Sequence, residues 1–590
     1  MIERLTPQPI PVLNRLGMTP GQIRSVQPIS RRTHCLAIVN WLTRYRQPTG
    51  ASNLEQVKGF LEAFYHLCAI EEWERALSLV SVRLNTPSRE ILHYQLKVWG
   101  YAQARMEMYR ALVGRGKPLW NARVLQFLGE SYYSQGNYHE AKVCYESSLD
   151  IFEEDGNEQD LGLLSGALGD VHYAPGNYDQ AIAYQMQCLK MTRSAGILYG
   201  EGIALGSLGN IYESKGAYAI ALEYHHQHLK IAQQTKDTEL EGAALGNIGS
   251  CLQAMGKYMA AATYHKQHLA LARQIGNRQG EGNALGGLGS TSYSLGDYQG
   301  AVEHFEGQRA IAQDIGDLLG EGNALGALGN VCFSRGEYEA AGTYHQQHLA
   351  IARSLSHKQG VLHALGNVGN VHNATGELLQ ACDYYRQQLE LAKEMDYRLG
   401  ETIARGNLGV VTYKLGNYDE AFEWMTQHLT VVQQIADRPR EGQALSNLGN
   451  VHRARGENLR AIECYERAIS IAQSVGDVAG EGRAAERLGD IYEELADYTK
   501  ALTYYLRDLD ASRRTGEWRD EIAALVNVAN MQDELGEGEA AVRYYRQALT
   551  IAQQVNDRAG EALILANLNE TLAKMSRGSE KENREGFNRS

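Results

Sequence analysis

The stretch GEGNALGALGN, residues 320–330, sets glycines at Gly320, Gly322, Gly326 and Gly329, and its opening GxGxxxG has the look of a turn that cradles a nucleotide diphosphate. Such a fingerprint needs a strand before the glycines, a helix opening on them and, as a rule, one copy per fold. Here GEGNALG also stands at 280–286 and GEGIALG at 200–206, and no β-branched run precedes the GEGNALG copies. The glycines therefore belong to a repeat and not to a phosphate loop.

The repeat keeps a forty-residue clock. Glycine falls at 129, 169, 209 and so on to 489, Ala529 takes the slot in an eleventh unit, and alanine recurs at the same spacing from 141 to 541. A second glycine precedes most of these alanines, commonly within GNY or GDY, which is turn chemistry between two helical patterns. In the unit around 320–357, Tyr338, Ala341, His345, His348 and Ala352 step by three and four along one stripe of a second helix. In the first helix, Leu325, Leu328, Gly329 and Cys332 share a packing face, while Asn323, Gly326, Asn330 and Phe333 form another. Each unit reads as helix, tight turn, helix, and the chain as all-α.

LGN at 208–210, 328–330 and 448–450, with GxY before the recurrent alanine and an aromatic shortly after it, resembles the tetratricopeptide repeat. The forty-residue form, with GEGxA and YHQQHLAIA at 344–352, is similar to the longer repeats of LGN/Pins-type adaptors. The resemblance covers about 120–575. It implies an α-solenoid of stacked helix-turn-helix repeats in a right-handed superhelix, with first helices lining the concave surface. Ala496 departs from the turn glycine, and Leu378, Asn458 and Gly538 depart from the turn tyrosine, so these units are expected to be looser.

The domain expectations follow. Residues 1–50 hold six of the ten prolines and more arginine than acid, and read as an N-terminal arm. Residues 51–117 read as degenerate helical hairpins that cap the array, 118–557 as eleven repeats, and 558–575 as a closing helix. The polar tail 576–590 has no apolar period and is expected to be disordered.

A formal net charge of -13 argues against nucleic acid as a partner. Eight scattered cysteines without a CxxC pair argue against a zinc ribbon or a disulfide framework. The longest early apolar run, 35–42, is too short to span a bilayer, and no secretory signal opens the chain. The expected setting is cytoplasmic, with no membrane contact.

The candidate site is the face that the resemblance turns inward. Gly286, Gly326 and Gly366, with equivalents from Gly166 to Gly406, are expected either to leave a smooth floor for a partner's backbone or to let first helices crowd together. Beside them run two amide columns: Asn210, Asn330, Asn370, Asn450 and Asn530, and Asn247, Asn367, Asn407, Asn447 and Asn527. A carboxamide has two donors and an acceptor, and can bridge a peptide N–H and C=O, unless the amides bond only to each other. Arg453, Arg483 and Arg487 are candidates for acidic groups of a ligand, although Glu486, Asp490, Glu493 and Glu494 stand ready to neutralise them internally.

Chemistry of other kinds finds little support. Glu321 and its equivalents suit the positive end of a helix dipole. The HxxH pairs at His225/His228, His265/His268 and His345/His348 supply two ligands each where zinc wants three or four, and they occupy the packing stripe, which predicts satisfied interhelical histidines. No catalytic residue, metal or cofactor is expected. The sequence points to a non-enzymatic scaffold whose partner is another protein or a peptide segment, with a peptide-responsive sensor as first alternative and a metal-dependent enzyme as a distant one. It leaves the partner's identity and the oligomeric state open.

Overall fold

The computed structural model describes residues 5–48, 50–86, 90–155, 158–435 and 437–587. It resolves thirty helices among them and no strand beyond one isolated bridge between Arg83 and Ile91. The chain divides into two compact units, Met1–Gly400 and Glu401–Ser590.

The first unit opens with α1 (Pro9–Arg15), α2 (Pro20–Arg24) and α3 (Ile29–Arg44). The proline-rich start is thus no arm, which corrects the expectation for the described part of 1–50; residues 1–4 and 49 lie outside the described residues. Pro9 and Pro20 occupy first-turn positions, where the missing N–H costs nothing and the fixed φ suits the helix. Leu16, Met18, Cys35 and Ile38 are buried in one core with Phe64 and Leu67. The hairpins follow as α4 (Asn53–Ala69), α5 (Trp73–Val80), α6 (Leu92–Val98) and α7 (Ala102–Leu112).

Eleven helix pairs then run in register with the clock. The first seven are α8 (Pro118–Ser134) with α9 (Tyr138–Asp155), α10 (Glu158–Tyr173) with α11 (Tyr178–Ser194), and α12 (Leu198–Ser214) with α13 (Tyr218–Thr235). They continue with α14 (Thr238–Ala254) and α15 (Tyr258–Ile275), α16 (Arg278–Ser294) and α17 (Tyr298–Ile315), α18 (Leu318–Ser334) and α19 (Tyr338–Ser354), and α20 (Lys358–Thr375) and α21 (Leu378–Glu394). The remaining pairs are α22 (Arg398–Lys414) with α23 (Tyr418–Gln434), α24 (Arg438–Ala454) with α25 (Asn458–Val475), α26 (Val478–Glu494) with α27 (Tyr498–Thr515), and α28 (Trp518–Glu534) with α29 (Gly538–Gln554). A last helix, α30 (Arg558–Phe587), closes the array.

The alanine clock marks the helix crossing: Ala221, Ala341 and Ala501 are wholly buried, because a larger side chain would hold the paired backbones apart. The turn glycine sits in the left-handed region, with φ +76° at Gly336 and +79° at Gly416. Ala496 takes the same conformation, φ +57°, at a cost of about 1–2 kcal/mol. Yet α26 and α27 keep the bounds of the other pairs, so this unit is not loosened. At Gly538, where the tyrosine is missing, Met575 of α30 fills the space; an added Cβ would stand 2.8 Å from its Cγ. The helix α30 runs on from Met575 to Phe587, through the stretch from Ser576 for which disorder is expected. Residues 588–590 lie outside the described residues.

Within the first unit the array returns on itself. The backbone N–H of Lys358 donates to the carbonyl of Gln135 (3.3 Å), and its Nζ donates to Asn137 Oδ1 (2.6 Å). Leu362 and Met395 share a core with Tyr138 and Phe152, so the first repeat rests on the seventh.

Candidate functional site

First helices touch first helices of the next repeat, α14 to α16 most extensively in the first unit and α24 to α26 in the second, whereas no two second helices meet to that extent among the described residues. The first helices hence line the inner side of each unit's curve.

The opening stretch now resolves into four separate jobs. The N–H of Gly320 donates to Asp317 Oδ1 (2.9 Å), an N-cap bond repeated at Gly280, Gly480 and Gly560 by Asn277, Asp477 and Asp557. A Cβ on Gly322 would press on His348 and Ile351. One on Gly326 would lie 2.9 Å from His348 Nδ1, and one on Gly329 would lie 2.5 Å from His345 Cε1. The glycine column is therefore covered by the second helix of its own repeat. Gly286 lies under Gln308 and Gly366 under Gln388, with a Cβ at 3.0 Å and 2.5 Å from the respective amide nitrogens. An open floor at Gly286, Gly326 and Gly366 is corrected on this ground: the absent side chains admit the protein's own rings and amides.

The inner-face amides fall into two groups. Tyr385 Oη donates to Asn370 Oδ1 (2.7 Å), Tyr465 to Asn450 (2.7 Å) and Tyr545 to Asn530 (2.6 Å), each fifteen residues on. These asparagines keep their N–H donors and one lone pair of the amide oxygen. Asn367 Nδ2 donates weakly to Asn330 Oδ1 across neighbouring repeats (3.5 Å). Asn210 and Asn247 in the first unit, and Asn407, Asn447 and Asn527 in the second, are half-buried and make no hydrogen bond among the described residues.

Two of the three candidate arginines are engaged within the protein. Arg453 donates to Asp490 Oδ2 (2.9 Å) and to Glu494, and Arg487 pairs with Asp490 (3.3 Å) and Glu486 (3.6 Å). Arg483 is exposed and forms no ion pair among the described residues. Arg453, Arg487, Asn450 and Glu494 line a cleft of about 520 Å³ with Tyr413 and Tyr418.

In the first unit, a cleft of about 670 Å³ opens between α14 and α16, lined by Asn247, Ser250, Asn283, Ser290 and the rings of His265 and His268. The histidines are packed as expected, but they are not satisfied. Both ring nitrogens of His228 and His265 are buried without a hydrogen-bond partner among the described residues, as is Nδ1 of His345, His348 and His428, while His225 Nε2 lies 3.8 Å from the Glu213 carboxylate. Burial pushes His228, His265, His345, His348 and His428 down to about 4, so the rings are neutral. Among the described residues no three His, Cys, Asp or Glu side chains gather in reach of one metal ion, and no helix is long and apolar enough to cross a membrane.

The recurrent glutamate has a use that helix-dipole reasoning missed. Glu441 accepts from Gln433 (3.0 Å), Glu481 from Gln473 (2.6 Å) and Glu201 from Arg193 (2.7 Å), tying each first helix to the end of the preceding second helix. A donor eight residues before each glutamate was the available signal.

A model of the tetratricopeptide repeat matches residues 120–194, 201–274, 280–354, 360–434, 401–474 and 480–554. Comparison with curated proteins gives no match. Among solved structures, BtubC (BKLC) from P. vanneervenii is 19% identical, with a TM-score of 0.34 over 36% of this chain and 91% of its own. A Rap protein complexed with Competence and Sporulation Factor is 16% identical, with a TM-score of 0.41 over 65% of this chain and 99% of its own. The apo form of RapI is 18% identical, with a TM-score of 0.37 over 46% and 98%. Likeness at these scores carries no argument about function.

Proposed function

This chain belongs to the tetratricopeptide-repeat family, and from that premise we propose that it is a non-enzymatic scaffold that holds a segment of another protein along the amide-bearing faces of its first helices. One observation supports this above the others: Asn210 and Asn247, like Asn407, Asn447 and Asn527, are half-buried and make no side-chain hydrogen bond among the described residues. A polar group left in that state is stabilised by any peptide N–H or C=O that reaches it. The test selects peptides from a random displayed library on the full chain, then measures them on a variant carrying Asn210→Ala, Asn247→Ala and Asn367→Ala. Loss of binding with helicity intact is expected. Equal affinity for the variant removes the amides from the site.

A second reading, the peptide-responsive sensor, draws on the contact between the first and seventh repeats. A segment that alters repeat spacing in the first unit strains the Lys358 bonds to Gln135 and Asn137. Faster hydrogen exchange at those residues on addition of a selected peptide favours the sensor; unchanged exchange leaves a rigid scaffold.

A further inference from the structure

Along one stripe, the inner face of the first unit carries no charge over five successive first helices; an acid stands beside that stripe on α12, Glu213, the equivalent of the cleft-lining Gln253. The positions of this stripe are 243, 247, 250 and 254 on α14, with equivalents on α12, α16, α18 and α20. Every one is Ala, Ser, Gly or Asn, apart from Ile203 and His363. None is Asp, Glu, Lys or Arg. The contrast with α26 in the second unit is complete, since the same positions there are Arg483, Arg487, Asp490 and Glu494.

A second observation marks this uncharged face as a site. His265, only 3% exposed, lines the cleft between α14 and α16 with both ring nitrogens unpaired. It is wedged where Gly249 and Gly287 leave room: a Cβ on Gly287 would lie 2.5 Å from its Nδ1. Asn247, which lines the same cleft, makes no side-chain hydrogen bond among the described residues. A neutral imidazole offers one donor and one acceptor, and a carboxamide offers both kinds, so the cleft presents unused hydrogen-bonding groups of both signs and no charge.

We infer that the α12–α20 face takes an extended, uncharged segment of a partner protein, one whose backbone amides and Ser, Thr, Asn or Gln side chains meet the cleft, and that it excludes charged segments. This rests on the scaffold reading above and names the class of its partner. A lysine or aspartate laid on this face gives up water and finds no counter-charge, which is the stronger of the two discriminating effects.

The experiment is a selection from a random displayed peptide library on the full chain, followed by affinity measurements on the winning peptides at low and high salt. Depletion of Asp, Glu, Lys and Arg among the winners relative to the input library is expected. Their affinity should be indifferent to salt, because no ion pair is formed. Asn247→Ala with Asn283→Ala should weaken them by about tenfold or more, with far-UV circular dichroism unchanged. Winners that are rich in charge and salt-sensitive, yet still depend on Asn247 and Asn283, overturn the partner class and leave the scaffold standing. Failure to enrich any peptide, or winners indifferent to both asparagines, overturns the scaffold reading itself and this inference with it.

Discussion

Gly326 and His348 form a matched pair, and exchanging their sizes tests how the repeat is built. A Cβ at position 326 would meet His348 Nδ1 at 2.9 Å and Cε1 at 3.3 Å. Gly326→Val forces two further carbons into that space, and overpacking of this kind costs about 1–3 kcal/mol. Better helix propensity offsets only about 0.3 kcal/mol of it. His348→Ala removes a buried ring and leaves a cavity, at about 2–4 kcal/mol. The double variant recreates the arrangement at Val526 and Ala548 in the eleventh repeat, where a large residue on the first helix faces a small one on the second. It should be less destabilised than either single variant, with a coupling of roughly 2–3 kcal/mol. Repeat arrays do not unfold in one step, so the assay is native-state hydrogen exchange on α18 and α19 in the full chain. Costs that simply add refute the idea that the glycine exists to seat the histidine.

Three further perturbations follow from the same contacts. For His228, His265, His345 and His348, the folded pKa of about 4 lies below the ordinary 6.5; the fold favours the neutral ring, so stability is complete above pH 6.5 and is lost as pH falls toward 4. Hydrogen exchange across α12–α19 should accelerate over that window, and His345→Phe, copying Phe305, should flatten its share. Asp508 behaves oppositely: burial, with Glu486, Asp520 and Asp490 nearby, raises it to about 7, so its protonated form is favoured and the second unit weakens as pH rises from about 4 to 7. Asp508→Asn should stabilise that unit by roughly 1–3 kcal/mol at pH 8 in urea melts, and do nothing at pH 4. Asp317→Ala removes the cap on Gly320 and a bond from Gln279 (2.9 Å), and exchange at the start of α18 should report a loss of about 1–2 kcal/mol.

The repeat and its helix bounds were legible because forty residues recur without insertion, so turn glycine and crossing alanine stay in phase along eleven units. The glycine floor was misjudged because one helix's pattern shows a missing side chain but not what replaces it. The signal lay twenty-two residues on: Gly286, Gly326 and Gly366 face Gln308, His348 and Gln388, whereas Ser446 and Val526 face Ala468 and Ala548. Asparagines divide by a similar rule at fifteen residues, accepting from the second helix of their own repeat where Tyr385, Tyr465 or Tyr545 follows and not where His225 or His345 does. The prolines misled because they were weighed as breakers and not as helix openers. None of these pairings is visible within a single helical stripe.

Lys358 reaches back 221 residues to Asn137. An open stack of modules tolerates the gain or loss of one module, since each one answers only to its neighbours. Here the handshake across six intervening steps requires a fixed tally between its two ends. Excising a whole forty-residue module from this interval would leave every local junction intact and still bring the wrong faces together, so in this part of the molecule module number is itself a structural requirement.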